Sequence, residues 1–181
     1  MKPVISKLVA DARSGDREAF SKLISLHQNA AASISYGILG ETHLAADAVQ
    51  DAYLKSWQGL ARLREDDRFP AWFMQIVRTS SLDLLRHRKR KAPESAPLDE
   101  ERDAHRSPGP VEALVQRERS VRIRKLIDEL PPEYREVLLL KHDQGRSYRD
   151  IASLLGMTAK GVESRLFRAR QTLAEKLKRL D

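Results

Sequence analysis

Residues 147–178, SYRDIASLLGMTAKGVESRLFRARQTLAEKLK, decide the fold of the C-terminal part of the chain, because they predict two helices joined by a tight turn. Ser147 and Asp150 have the spacing of a capping box at the start of the first helix. Gly156 is suited to the left-handed backbone conformation just past that helix. Thr158 can cap the second helix, in which apolar residues recur at helical spacing. This is the layout of a helix-turn-helix, in which the second helix enters the DNA major groove.

The side of the second helix that faces away from its apolar stripe is polar and basic. Seven lysines and arginines lie between Thr158 and Leu180, against two glutamates. Such cations can neutralise phosphates and reach base edges. A solvated face on an ordinary helical hairpin would carry the same charge. The caps, the small residue Ala152, the glycine turn and the basic face in one register together favour DNA binding.

The composition limits the function classes. The 181 residues carry a net charge of +7, which favours a polyanionic partner. The absence of cysteine excludes disulfides, thiolate metal sites and cysteine nucleophiles, and the five histidines lack ligand spacing, so we expect no metal and no cofactor. The N-terminus is too polar for a signal peptide and no apolar run approaches ~20 residues. We therefore expect a cytoplasmic protein without membrane insertion.

Charge and composition divide the chain into three parts. Residues 1–92 and 113–181 carry net charges of +5 and +6, whereas residues 93–112 are Pro-containing, acidic and carry −4. No alternating strand pattern appears, so the sequence predicts an all-α fold with two small helical domains joined by a flexible linker. Residues 93–110 could span roughly 60 Å when extended, so the domains could occupy separate DNA sites.

An acidic stripe lies on a predicted helix in the first domain. Asp47, Gln50, Asp51 and Leu54 stand at positions i, i+3, i+4 and i+7, which share one face of a helix. An ordinary solvated face with one exposed leucine would give the same pattern. In a chain that is otherwise basic, this acidic stripe is a candidate docking site for a basic protein surface.

Aromatic and basic side chains are combined in a long predicted helix at residues 69–91. Phe69, Trp72 and Phe73 cluster at its start, and five of the six residues from Arg86 to Lys91 are lysine or arginine. Rings that stack on unpaired bases and cations that bind the backbone are the features that single-stranded DNA requires. Alternatively, the rings form the core, as we expect for at least one of them, and the cations complement the helix dipole.

Taken in order, these pieces resemble a sigma-70 family RNA polymerase sigma factor of the small extracytoplasmic-function type. The resemblance covers nearly the whole chain. It is carried by the segments AADAVQDAYLKSW, FPAWFMQIVRTSSLDLLRHRKR, LPPEYREVLLLKHDQGRSYRDIASLLG and VESRLFRAR. They are similar to the family's polymerase-binding helix, its promoter-melting and −10-reading helix and its −35-reading domain.

The resemblance implies a protein without catalytic activity that binds core RNA polymerase, places it on a promoter and helps to open the duplex. The implied partners are the β′ clamp helices and the β subunit of the core enzyme, promoter DNA in double- and single-stranded form, and an anti-sigma factor. The acidic stripe matches the positions that dock on the β′ clamp helices. Residues 1–92 and 113–181 would then be the family's regions 2 and 4.

The same resemblance implies two sets of DNA-binding residues. The loop Leu63–Arg68 lies near the place where the family captures a flipped base. Flipping the base costs a few kcal/mol, which its contacts in a close-fitting pocket must offset. The −10 set comprises Trp72, Arg78, Thr79, Arg86, Arg88, Lys89 and Arg90. The −35 set comprises Lys141, Lys160, Glu163, Ser164, Arg165, Phe167 and Arg168.

Three positions depart from the family pattern. Thr79 stands where many relatives have asparagine, and Lys160-Gly161 replaces a common Gly-Thr pair. Glu163 stands where a basic residue is usual, and it could accept from a cytosine amino group or repel phosphate. The promoter sequence therefore cannot be copied from relatives.

Two other functions compete with this interpretation. A helix-turn-helix regulator that never binds core polymerase would explain residues 147–178 and the net charge. It would not explain the acidic stripe or the aromatic and basic helix. An enzyme acting on nucleic acid is disfavoured, because the sequence has no phosphate-binding glycine loop, metal-ligand spacing or nucleophile elbow.

Overall fold

The computed structural model describes residues 2–91 and 122–179, and every regular element in these two stretches is a helix. The all-α prediction is confirmed, and none of these helices is both long and apolar enough to cross a membrane. The predicted linker at 93–112 lies outside the described residues. The helices are α1 (Lys2–Arg13), α2 (Arg17–Leu39), α3 (Thr42–Gly59), α4 (Phe69–Lys91), α5 (122–128), α6 (Pro132–His142), α7 (Tyr148–Leu155) and α8 (Ala159–Lys178).

The helix-turn-helix has the local geometry that its sequence predicts. Ser147 accepts a hydrogen bond from the Asp150 N–H at 3.1 Å, and Asp150 accepts one from the Ser147 N–H at 3.2 Å, which completes the capping box. Gly156 follows α7 in the left-handed conformation, with φ of 63°. The Thr158 hydroxyl accepts from the Gly161 N–H at 3.0 Å and caps α8. These contacts fix the angle between α7 and α8 and thereby the position of the second helix.

The N-terminal helices enclose a core of aromatic and aliphatic side chains. Phe69 and Phe73 at the start of α4 are fully buried, and their rings stack with centroids 5.8 Å apart. Tyr53 of α3 stacks on Phe73, also at 5.8 Å. Phe69 and Phe73 are therefore core residues and cannot stack on DNA bases. For these two rings, the structure agrees with the alternative that the aromatic side chains form the core.

The C-terminal helices pack directly on the N-terminal ones. Helix α6 lies on α2, and α7 lies on α4. Ile34 of α2, Val77 of α4 and Ile151 of α7 belong to one buried cluster. The linker length predicts domains that can occupy separate DNA sites. In this structure the two parts share a core, because α2 and α4 cover the apolar faces of α6 and α7. The reach of the linker stays a prediction.

Gly37 sets how closely α2 and α6 approach each other, and Arg135 holds α6 to the residues before it. A Cβ atom placed on Gly37 of α2 would lie 2.8 Å from the Cα atom of Glu136, so only glycine fits there. The neighbouring Arg135 is buried, and its guanidinium donates to the backbone carbonyls of Ile127, Asp128 and Leu130. Arg135 thus ties the end of α5 and the following turn to α6 within the C-terminal part.

Candidate protein and nucleic-acid interfaces

The acidic stripe lies on the outer side of α3, as the helical spacing predicts. Asp47 and Gln50 are exposed, and Leu54 is 65% exposed, whereas Ala48 and Ala52 on the other side are buried. An exposed leucine beside two carboxylates can contribute apolar contact area to a docking surface. The structure therefore brings the four stripe residues together on one accessible face.

Asp51 is the one half-buried residue of the stripe, and neighbouring side chains fix its carboxylate. The Lys55 ammonium lies 2.6 Å from a carboxylate oxygen of Asp51, and it also donates to the Ser80 hydroxyl at 3.1 Å. Partial burial raises the pKa of Asp51, but hydrogen bonds from Lys55 and Ser80 and the charge of Lys55 lower it below its ordinary value. Asp51 is therefore held as an oriented anion.

A groove between α3 and α4 extends the stripe. Its volume is about 450 Å³. Asp83 and His87, which are not among the predicted site residues, line this groove opposite Asp47 and Asp51. Their i, i+4 spacing on α4 is the sequence signal that could have indicated them. Across residues 2–91 and 122–179, no three histidine, aspartate or glutamate side chains gather as a metal site would require.

The predicted −10 residues are spread along α4, and their side chains differ in availability. Trp72 is half-buried, with its ring 5.9 Å from that of Phe69, so it is less exposed than a stacking platform needs. Thr79 is exposed, and its hydroxyl donates to the Gln75 carbonyl at 2.9 Å. Arg78 is half-buried, and its guanidinium pairs with Glu136. Among these three residues, only Thr79 is freely accessible.

The basic end of α4 is largely exposed. Arg86 and Arg90 lie at the surface, and Arg86 pairs with Asp83 at 3.1 Å. Arg88 is half-buried and forms an ion pair with Glu41 just before α3. The side chain of Lys89 is outside the described residues. Surface pairs of this kind contribute little to stability, so Arg86 can exchange its carboxylate for a phosphate.

The loop Leu63–Arg68 is anchored to α1. The Arg13 guanidinium lies 2.6 Å from an Asp66 oxygen and donates to the Leu63 carbonyl at 3.0 Å. Leu63 itself is buried, and a short 3-10 turn at Asp66–Arg68 leads into α4. The loop is therefore a supported element at the start of the −10 helix.

The outer face of α8 presents most of the predicted −35 residues together. Val162, Leu166 and Ala169 are buried on its inner side. Phe167 is 68% exposed, which is unusual for a large apolar ring and suits contact with a base or methyl group. The other exposed members of this face are Lys160, Glu163, Ser164 and Arg168.

Two predicted −35 residues lie elsewhere. Lys141 belongs to α6, where its ammonium donates to the Arg146 carbonyl at 3.2 Å and lies 5.2 Å from the centroid of the Tyr148 ring. Arg165 is half-buried on α8 and donates to Glu136 at 3.3 Å. In this conformation both cations contribute to the packing of the C-terminal part rather than to its exposed face.

Glu136 is a further residue that was not predicted from the sequence. Its side chain is 0% exposed and pairs with Arg78 of α4 and Arg165 of α8. Burial raises the pKa of Glu136, while the charges of Arg78 and Arg165 and the Arg78 hydrogen bond oppose that rise. A charged residue directly before the apolar run 137–140 was the available signal, but neither arginine could be assigned to it from spacing.

Comparison with known proteins agrees with this arrangement. The family model for Sigma-70 region 2 matches residues 23–91, and the model for Sigma-70, region 4 matches residues 120–173. The two matches follow the order that the resemblance implies, with α3 and α4 in the first and the helix-turn-helix in the second.

Individual relatives extend over most of the chain. RNA polymerase sigma factor CnrH of Cupriavidus metallidurans is 33% identical, over 92% of this chain and 91% of its own length. A probable RNA polymerase sigma factor, RfaY, of Xanthomonas campestris is 35% identical over 92% of this chain, which spans 42% of that protein. The solved structure of CnrH in complex with the cytosolic domain of CnrY superimposes with a TM-score of 0.67 at 27% identity and covers 97% of both chains. The ECF RNA polymerase sigma factor SigW of Bacillus subtilis is 26% identical over 99% of this chain and all of its own length. The chain therefore belongs to the sigma-70 family of RNA polymerase sigma factors, in its extracytoplasmic-function group.

Proposed function

We propose that this protein binds core RNA polymerase and directs it to start transcription at a defined set of promoters. The observation that carries the proposal is one chain with both an exposed acidic stripe on α3 and an exposed basic face on α8. The first surface suits a basic protein partner, and the second suits DNA. A regulator that acts on DNA alone has no use for the first surface.

The acidic stripe docks on the clamp helices of the β′ subunit. Asp47 and Asp51 supply charge, Gln50 supplies hydrogen bonds, and Leu54 supplies apolar contact. The fixed position of the Asp51 carboxylate supports this role, because a preorganised charge loses less entropy on binding. The β subunit is the second proposed contact on the core enzyme.

The two DNA-binding parts act at separate promoter elements. Helix α8 enters the major groove at the −35 element, where Arg168, Ser164, Lys160 and Phe167 face outward. Helix α4 and the loop Leu63–Arg68 act at the −10 element, where Thr79 is exposed and the basic end of the helix binds the backbone. Binding of both elements at the same time requires the two parts to separate from their packed arrangement.

A bound regulatory protein is a further part of the proposal. CnrH, a relative at 33% identity, has been solved with the cytosolic domain of CnrY on it. We extend this to an anti-sigma factor that binds the packed form of the present chain. The protein works in the cytoplasm, where the polymerase and its template lie, and catalyses no reaction of its own.

Run-off transcription tests the proposal directly. Purified full-length protein is added to bacterial core polymerase that has been freed of other sigma factors. A genomic promoter library serves as the template. We expect defined start sites that depend on the added protein. Co-purification with core enzyme is measured in parallel. DNA binding without core binding would replace the proposal with a conventional helix-turn-helix regulator.

A further inference from the structure

The two parts of the chain meet at a buried carboxylate. Glu136 of α6 lies inside the protein, and its two oxygens accept from the Arg78 guanidinium at 2.9 and 3.1 Å. The Arg165 guanidinium donates to one of the same oxygens at 3.3 Å. Arg78 belongs to the N-terminal part, whereas Glu136 and Arg165 belong to the C-terminal part. One anion therefore links α4 to α8 across the contact between the two parts.

Both arginines in this cluster are predicted DNA contacts. Arg78 lies on the −10 helix and Arg165 on the −35 recognition helix. Arg78 forks onto the carboxylate with two donors, whereas Arg165 gives it one donor. The donors held by Glu136 cannot at the same time bind a phosphate or a base edge. Glu136 thus competes with DNA for one cation from each DNA-binding helix. The acidic stripe is different, because Asp47, Gln50 and Leu54 are exposed in the same packed state.

We propose that the Arg78–Glu136–Arg165 cluster is an autoinhibitory latch. It holds the free chain in a packed state that binds DNA less tightly than the open state, because Glu136 engages Arg78 and Arg165 while the rest of the α8 face stays exposed. The same packed state leaves the polymerase-docking stripe open. The inference rests on the proposed function and deepens it. Docking on the polymerase would then precede the separation of α6 from α2, and only separation releases Arg78 to the template.

Gly37 offers a way to open the latch without changing a predicted DNA or polymerase contact. A Cβ atom at this position would lie 2.8 Å from the Cα atom and 3.0 Å from the backbone nitrogen of Glu136. Backbone atoms of α6 cannot yield as a flexible side chain would. Within α2 itself, alanine is a better helix former than glycine. Gly37→Ala should therefore push the two parts apart while it strengthens the helix that carries it.

The first measurement is the separation of the two parts in the full-length chain. The natural protein has no cysteine, so Lys7→Cys on α1 and Gln171→Cys on α8 provide two label sites without background. Both positions are exposed. Pulsed electron paramagnetic resonance should give one short, narrow distance for the otherwise unchanged protein and a longer, broader distribution for Gly37→Ala. Glu136→Gln is the second variant and should shift the distribution in the same direction.

The second measurement is binding of the unlabelled free chain to a random-sequence DNA duplex at low salt, which requires no knowledge of the promoter. We expect Gly37→Ala and Glu136→Gln to tighten binding by about tenfold, because the open state becomes the main population. Ser25→Ala is the matched control, since Ser25 is exposed on α2 and gains helix propensity without touching α6. Circular dichroism confirms that each variant retains its helices.

Several outcomes would overturn the latch. A broad distance distribution in the unmodified sequence would show that the packed state is not held. If both variants leave the label distance and the affinity for DNA unchanged, the cluster is not a latch. If they open the chain without tighter DNA binding, the cluster has no inhibitory role. Neither measurement contains polymerase. Failure of the chain to join core enzyme would therefore defeat the proposed function and leave the result on the latch intact.

Discussion

The Tyr36 hydroxyl donates a hydrogen bond to the Asp128 carboxylate at 3.0 Å, across 92 residues of sequence. The bond joins α2 to α5 near the point where Gly37 approaches α6. Tyr36→Phe should lower the free energy of unfolding by about 1–2 kcal/mol, because hydrogen bonds to charged groups exceed neutral ones. Urea denaturation followed by circular dichroism measures the change. Tyr148→Phe is the control, since the ring that faces Lys141 is kept, and an equal loss in both variants would contradict the prediction.

Reversal of the charge at Asp51 should strongly weaken binding to the core enzyme. Asp51→Arg places a cation where the proposed partner surface is basic, and we expect a loss of about 2 kcal/mol or more in binding free energy. Fluorescence anisotropy of labelled protein titrated with core polymerase measures the affinity. Glu175→Arg changes the net charge equally on the exposed side of α8 and should leave core binding unchanged. Unaltered affinity of Asp51→Arg for core would remove the docking assignment.

Arg168 is the exposed arginine of α8 that we expect to read a base. Arg168→Ala should weaken promoter binding by the holoenzyme by about 1–3 kcal/mol and relax preference at one position of the −35 element. Filter binding to the selected promoter and to single-base variants tests this. If the loss is the same on every sequence, Arg168 contacts phosphate instead. Arg170→Ala, another exposed change on the same helix, serves as the comparison.

His27 gives the packed structure a dependence on pH. Burial lowers its pKa below the ordinary value of 6.5, the Leu23 carbonyl opposes this, and the charge of Arg146 lowers it further. The unfolded chain then binds a proton at His27 more readily than the folded chain does. The contribution of His27 to the free energy of unfolding is therefore fully present above pH 6.5, and it falls as the pH drops towards the lowered pKa.

Comparison of urea midpoints at about pH 7.5 and about pH 5.5 tests this sign. The midpoint of the natural sequence should fall more between the two conditions than that of His27→Gln, which cannot take up the proton. A parallel decline in both proteins would assign the pH effect to other groups. Since Arg146 lies in the C-terminal part, protonation of His27 should also loosen the contact between the two parts.

Local features of the fold were predictable from the sequence because neighbouring residues determine them. The capping box of Ser147 and Asp150 and the turn at Gly156 depend on the next few residues only, and the structure has both. The exposure of the acidic stripe followed equally from helical spacing. Here the 3.6-residue period alone decides which side chains share a face.

Features that depend on distant residues were not predictable. Glu136 lies 58 residues from Arg78, and no spacing rule connects them. The aromatic cluster was ambiguous for the same reason, since a ring that can stack on a base can equally fill a core. Packing of α6 on α2 buried Glu136, and packing around α4 buried Phe69 and Phe73.

Arg135 and Glu136 are neighbours in sequence, yet their side chains contact different parts of the molecule. Glu136 pairs with Arg78 of the N-terminal part. Arg135 satisfies three carbonyls inside its own half of the molecule. That network does not include the other half, so it survives when the halves come apart. The transition from the packed state to the open state can therefore be a hinge-like displacement of two intact bodies. No helix needs to unfold, so little has to refold afterwards.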